Sequence, residues 1–330
     1  MKFANKKIDV LIPVYKPDKS FDTVISRLLN QKIKVNKIII INTVDHKSGE
    51  LKNIWNSDKI LIKNIQKSEF NHGLTRNYGM TLSDADYVMY CDSDDGFCNT
   101  FALKIIFENI DISEKEGKPF DLMSSKFYVE KPAEGDKPWA LSITDHNNIY
   151  IHGRVYRREY LVNYNLYFNE NIWANEDSFF NIATNFYSNN TKLLNIPIYC
   201  WRGNPLSVTH DPKYIMKTLH QLIYSNDSVI EVMLLLNKPD KDIAKSAFDI
   251  ICKVYLDMNK PAWYEPENKE YKDITIKTLK WYINKRGLLC NCLTDDDKRL
   301  VLQGARNTEH YKNIESITFN DFIKVVMSYE

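Results

Sequence analysis

Three aspartates fall within four residues, Asp92-Ser93-Asp94-Asp95, directly after the apolar run Tyr87-Val88-Met89-Tyr90-Cys91. In an extended segment, residues i and i+2 point to the same side, about 6.5 Å apart. Asp92 and Asp94 would then share a face, and two carboxylates so close repel unless a cation sits near them. Oxygen ligands suit Mg2+ or Mn2+, with water and substrate phosphates filling the remaining positions. Such an ion would neutralise charge building on a departing diphosphate. Asp92 and Asp94 are therefore candidate metal ligands, with Asp92 and Ser93 at the diphosphate. Asp95 fits either a water-mediated ligand or a sugar contact. The plainer alternative is an Asp/Ser turn leading to a helix near Phe101. Position at the end of a buried strand favours the metal.

A second stretch reads Glu69-Phe70-Asn71-His72-Gly73-Leu74-Thr75-Arg76-Asn77-Tyr78-Gly79. A glycine opening a helix lets phosphate oxygens approach free backbone N–H groups at the positive helix end. Arg76, one turn in, would add charge-assisted hydrogen bonds. Spacing alone favours a capped helix with a surface arginine.

These residues need elements to hold them. Short apolar runs alternate with helical periodicity through the first half, the signature of βαβ units and a mainly parallel sheet. Strands are predicted at Ile8–Ile12, Lys37–Ile41, Lys59–Ile65 and Tyr87–Cys91, with helices at Phe21–Asn30, Leu74–Ser83 and Phe101–Asn109. Further strands follow at Leu122–Glu130, Trp139–Ile143 and Thr191–Trp201, and helices at Arg157–Tyr164 and Glu176–Tyr187. Ligands of an open parallel sheet bind beyond the carboxyl ends of its strands. Pro13-Val14-Tyr15, Asn42-Thr43 and Asp92–Asp95 all fall there, and the fold would bring them to one edge. From Lys213 onward the periodicity is helical only, in about five segments such as Ile243–Met258 and Ile274–Ile283. That divides the chain into 1–212, comprising a nucleotide-binding half (1–98) and an acceptor half (99–212), and a helical region, 213–330.

In order and spacing, Pro13-Val14-Tyr15, His72-Gly73-x-x-Arg76-Asn77-x-Gly79, the Tyr87–Asp95 strand and cluster, and Glu176-Asp177 resemble the family 2 glycosyltransferases, which have the GT-A fold. Phe70–Asn77 looks like the rhamnosyltransferase-type members, and the likeness covers about residues 7–212. It implies that Pro13, Val14 and Tyr15 line the nucleotide pocket, that Arg76 and Asn77 lie near nucleotide or sugar, and that Asp92 and Asp94 surround the metal. It makes Asp177 the general base. An inverting displacement at an anomeric carbon does need a carboxylate opposite the leaving diphosphate to take the acceptor hydroxyl's proton. Without the family, Glu176-Asp177 reads as the acidic first turn of a helix. His152–Leu161 matches a family segment in which Gly153 would permit close backbone approach on the acceptor side. Trp201–His210 looks like the family's closing segment, with Arg202 at phosphate and His210 as a further metal ligand. One departure concerns the base. Many members carry an Asp pair after the second strand where this chain has Asn42-Thr43, so UDP and dTDP both stay open as the donor's nucleotide.

The formal net charge of +1 gives no bulk attraction to nucleic acid or membrane. No apolar run approaches the roughly 18 residues of a membrane span. Six scattered cysteines and no leader-like opening point to free thiols in a reducing cytoplasm. The expected function is thus an inverting transferase moving a sugar from a UDP- or dTDP-sugar to a hydroxyl acceptor, such as a cell-surface glycan, with Mn2+ or Mg2+. The helical region would serve acceptor choice or homo-oligomerisation. Two other classes compete, a non-catalytic nucleotide- or glycan-binding module on the same fold and a nucleotidyltransferase. Retention of both Asp177 and the Asp cluster argues against the first. The lack of a Gly-rich triphosphate loop near the first strand argues against the second.

Overall fold

The computed structural model describes residues 5–46, 48–66, 71–131, 139–146, 149–203, 213–307 and 318–329. The chain divides into two compact units, Met1–Ser207 and Val208–Glu330.

The first unit is built on one mixed sheet. β1 (Ile8–Val14) is buried along its whole length. It lies between β2 (Lys37–Val44) and β4 (Tyr87–Tyr90), and β3 (Ile60–Gln66) flanks β2; all three pairings are parallel. Continuous apolar runs such as Ile38-Ile39-Ile40-Ile41 are what a strand covered on both faces requires. Helix α1 (Ser20–Leu29) covers one face through Phe21, Val24, Ile25 and Leu28. Helix α2 (His72–Thr81) covers the other, where Gly79 has room for no more than a Cβ against Ile41. That close approach brings Arg76 against the sheet rather than onto the surface.

Past β4 the sheet changes character. β5 (Gly96–Phe97) is a two-residue strand, followed by helix α3 (Ala102–Lys115). Then come β6 (Leu122–Lys131), β7 (Ala140–Thr144), β8 (Arg154–Arg157), the short α4 (Arg158–Asn163), α5 (Glu176–Tyr187) and β9 (Thr191–Trp201). The strand order is β3-β2-β1-β4-β8-β6-β9-β5, with β7 on β6. β8 runs antiparallel to both β4 and β6, β5 is antiparallel to β9, and β6 pairs parallel with β9. The expectation of a mainly parallel sheet therefore holds for β1–β4, and beyond them, among the described residues, only the β6–β9 pairing is parallel. The cause is β8, a four-residue strand with too little sequence to register as a period, which enters against β4 and reverses the sheet.

The second unit is helical among its described residues: α6 (Tyr214–Leu235), α7 (Asp240–Met258), α8 (Lys269–Arg286), α9 (Asp295–Arg306) and α10 (Phe319–Ser328), joined in part by 3-10 turns. α9 opens with a capping box between Thr294 and Asp297. Between α6 and α8, Asp227 accepts from Arg286 Nε at 2.7 Å and from Lys285 at 2.7 Å, and Glu231 pairs with both cations. No helix among the described residues is long and apolar enough to cross a membrane.

Candidate active site

Asp92 to Asp95 do not continue the strand. The Asp95 N–H donates to the Asp92 carbonyl at 3.2 Å, closing a tight turn immediately after β4. A turn brings residues i and i+3 together where an extended segment pairs i and i+2. Accordingly Asp92 and Asp95, with His152, present ligand atoms within 4.8 Å of one another. The extended Asp92–Asp94 pair expected from the sequence is thereby replaced. Asp94 stays half-buried in the turn beside Ser93, and His210 lies outside the described residues.

Asp95 is buried beneath the turn, where its carboxyl accepts from the Tyr199 hydroxyl at 2.8 Å and the Arg202 N–H at 2.9 Å. Burial pushes its pKa well above the ordinary carboxylate range, and Asp92 and Asp94 add to the push. His152 stacks with Tyr150, Tyr199 and Trp201, its Nδ1 3.6 Å from Asp95 Oδ2 with no hydrogen-bond partner. Burial lowers its pKa to about 4 against the opposing pull of Asp92, so the imidazole is neutral at pH 7. A neutral imidazole and clustered carboxylates are the donor set of a divalent cation, and the nitrogen suits Mn2+ better than Mg2+. These residues fit the ion.

Arg76 reaches the turn from α2. It is 3% exposed, with Nη2 2.8 Å from Asp92 Oδ1 and Nη1 2.6 Å from Glu176 Oε1, and its guanidinium lies over the Phe168 ring. Burial opposes its charge, but Asp92 and Glu176 outweigh that and raise its pKa further. In turn Arg76, seconded by His152 and His72, overcomes desolvation and holds Asp92 below its ordinary value. The surface arginine favoured by spacing is thus an interior one.

Asp177 sits in the first turn of α5, next to Glu176. The turn is entered through Asn175 in a left-handed conformation, φ 63° and ψ 22°, which asparagine tolerates better than most residues. The helix is pinned to the sheet by Tyr156, whose hydroxyl donates to Asn181 Oδ1 at 2.6 Å, and by Phe180, which meets Tyr90 and Tyr156 edge-on. Desolvation and then Glu176 push the Asp177 carboxyl up to about 7, against Arg76. A carboxyl with that pKa is half ionised near neutral pH and suited to taking a proton.

The remaining sequence expectations divide. Tyr15 is part-exposed and donates to Asp45 at 2.9 Å, but Pro13 is buried in β1 and Val14 belongs to the hydrophobic core, so its side chain lines no pocket. Asn42 is buried with its amide donating to Gly49 O and Asn64 Oδ1; it clamps a loop, while its Oδ1 has no partner. Asn77 is a clamp as well. It binds both the N–H and the carbonyl of Phe168 and donates to Glu170, which replaces the expected donor contact. The amino end of α2 is closed by the Asn71 side chain on the Leu74 N–H, and Phe168 Cβ lies 3.1 Å from where a Gly73 Cβ would be. Among the described residues no phosphate cradle opens there. Gly153 has φ +67°, and a Cβ on it would meet Ser125 Oγ at 2.3 Å, so its close approach is to β6 rather than to an acceptor. Arg202 gives its N–H to Asp95, and its guanidinium lies 3.7 Å from Glu130. Sequence reasoning gave no role to His152 or Tyr199 and named Glu176 only with its neighbour. The single signal for His152 was its place before Gly153.

No family model matches the chain. It is 25% identical over 224 residues to the Bacillus subtilis protein named uncharacterized glycosyltransferase EpsJ, covering 62% of this chain and 63% of that one. It is 34% identical over 94 residues to Staphylococcus aureus TarP, a poly(ribitol-phosphate) beta-N-acetylglucosaminyltransferase, covering 27% and 29%. The chain thus spans less than two thirds of the length of these curated relatives. Neither name bears on the rhamnosyltransferase-type likeness of residues 70–77. Among solved structures, S. aureus TarS 1–349 in complex with UDP-GlcNAc superposes with a TM-score of 0.64 at 15% identity over 91% of each chain. TarS 1–349 alone gives 0.60 at 13% over 92% of each. In sequence the chain is a relative of proteins named glycosyltransferases, and in fold it is of the TarS type.

Proposed function

We propose that this chain is an inverting, metal-dependent glycosyltransferase that moves a sugar from a UDP-sugar to a hydroxyl-bearing acceptor. The observation that carries the reading is Asp177. A carboxyl with a pKa of about 7 stands on the first turn of α5, one residue from the Glu176 that Arg76 ties to the Asp92 turn. One side of the site then serves the leaving group and the other the acceptor.

In this reading the acceptor oxygen attacks the anomeric carbon as the bond from that carbon to the diphosphate oxygen breaks. Asp177 takes the acceptor hydroxyl's proton. One carboxylate suffices, since inversion forms no covalent sugar–enzyme bond. Asp92, Asp95 and His152 would hold Mn2+ or Mg2+, with Asp94 at the mouth of the turn; the ion supplies electrostatic stabilisation of the departing diphosphate. Arg76 already balances Asp92.

UDP as the nucleotide is supported by the likeness to TarS, solved with UDP-GlcNAc. A polymeric hydroxyl acceptor of the cell surface is supported by TarP, named for poly(ribitol-phosphate). A cytoplasmic site of action would match the supply of UDP-sugars. The test is UDP release from UDP-GlcNAc with poly(ribitol phosphate) as acceptor. EDTA should abolish turnover and Mn2+ restore it. Unchanged turnover in EDTA, or in Asp92→Ala with Asp95→Ala, removes the metal; no turnover of any UDP-sugar removes the reading itself.

A further inference from the structure

Arg76 is buried and binds two carboxylates at once, those of Asp92 and Glu176. We propose that Arg76 and Glu176 are positioning residues, a strut that fixes the base-bearing turn of α5 against the Asp92 turn. The inference rests on the glycosyltransferase reading above.

The geometry is specific. Glu176 and Asp92 are 84 residues apart in sequence, and each belongs to a different half of the sheet's surroundings. Arg76 spans them with separate nitrogens, at 2.6 Å and 2.8 Å. At 3% exposure it offers a ligand little surface, and its guanidinium carbon lies over the Phe168 ring, 5.2 Å from the centre. Phe168 is itself held by Asn77 through both backbone groups and stacked on Phe180 of α5. The arginine's direction and the helix's position are therefore set by one packed unit. A lysine, a point charge on a flexible stem, cannot bridge two carboxylates with this planar geometry. Glu176 is buried with its charge on Arg76, which leaves proton transfer to its neighbour Asp177.

A strut acts through placement. Misplacing a reacting group by about 1 Å costs on the order of 100-fold in rate. The variants Arg76→Gln, Glu176→Gln and the double replacement form a cycle, read in kcat, acceptor KM, UDP-GlcNAc dissociation constant and thermal midpoint. Either single change should lower kcat on the order of 100-fold, and the double change should be no worse than the worse single one. In Glu176→Gln the UDP-GlcNAc dissociation constant should stay within about twofold. Arg76→Lys should not rescue kcat. If the two losses multiply, if Lys rescues, or if kcat falls only as far as the thermal midpoint explains, the strut is wrong. Should Arg76→Gln fail to fold, Arg76→Lys with Glu176→Gln completes the same cycle. Absence of turnover in the unaltered protein would instead refute the functional reading.

Discussion

Two buried arginines invite comparison. Arg286, in the helical unit, and Arg76, in the sheet unit, each bind two carboxylates. Around Arg286 the charges match, Asp227 and Glu231 against Lys285 and Arg286. Burial resists ionisation of Glu231 there, but its partners win and its pKa falls. Around Arg76 the charges do not match. The 92–95 turn and the first turn of α5 carry five carboxyl groups, and Arg76 binds two of them. Two of the other three, Asp95 and Asp177, are pushed toward their neutral forms. A structural network stabilises its charges, whereas a site leaves some unsatisfied until a cation or substrate arrives.

The widest separation between the two regions should come from Asp177→Asn. Loss of a general base costs on the order of 100- to 10,000-fold, so kcat for UDP release should fall by that much with donor binding retained. Arg286→Gln should leave kcat per folded molecule within about twofold. An Asp177→Asn enzyme of normal rate would remove the contrast. Next in size is the converse effect on stability. Removing one partner from a buried pair costs about 3–5 kcal/mol when it leaves an uncompensated charge; Arg286→Gln should cost less than that in urea unfolding, because Lys285 stays on Asp227 at 2.7 Å. A loss below about 1 kcal/mol would mean that the helical network is idle.

The smallest effect is in pH. With the Asp177 pKa raised to about 7, kcat/KM should fall about tenfold per unit as pH drops below that value. The sign on stability is opposite. A carboxyl whose folded pKa exceeds its unfolded value keeps its proton longer in the folded state, so its contribution to stability declines as pH rises toward 7. Asp177→Asn should accordingly raise the thermal midpoint more at pH 8 than at pH 4. A flat pH–rate profile between 5 and 8 would show that the base is another group.

Much of this was readable in the residues. Apolar runs gave β1, β2 and β4 because strands buried on both faces need no alternation, and Glu176–Tyr187 and Thr191–Trp201 coincide with α5 and β9. β8 and β5 escaped because four and two residues hold too little pattern. The expectation for the Asp cluster erred in local geometry. An extended chain pairs Asp92 with Asp94, and the hydrogen bond from Asp95 N–H to Asp92 O pairs Asp92 with Asp95 instead. Arg76 was singled out for its charge and spacing, but its partner across 100 residues has no local trace.

By itself, then, the sequence determined which groups could do chemistry and which strand ends would present them, because burial and periodicity are local and write themselves into neighbouring residues. The tertiary structure alone decided their division of labour. It committed Asn77 to a clamp, buried Asp95 under Tyr199, turned His152 toward the acidic turn and joined Asp92 to Glu176 through one guanidinium. Those assignments depend on distances and desolvation between segments brought together only by the mixed sheet, and no spacing along the chain encodes them.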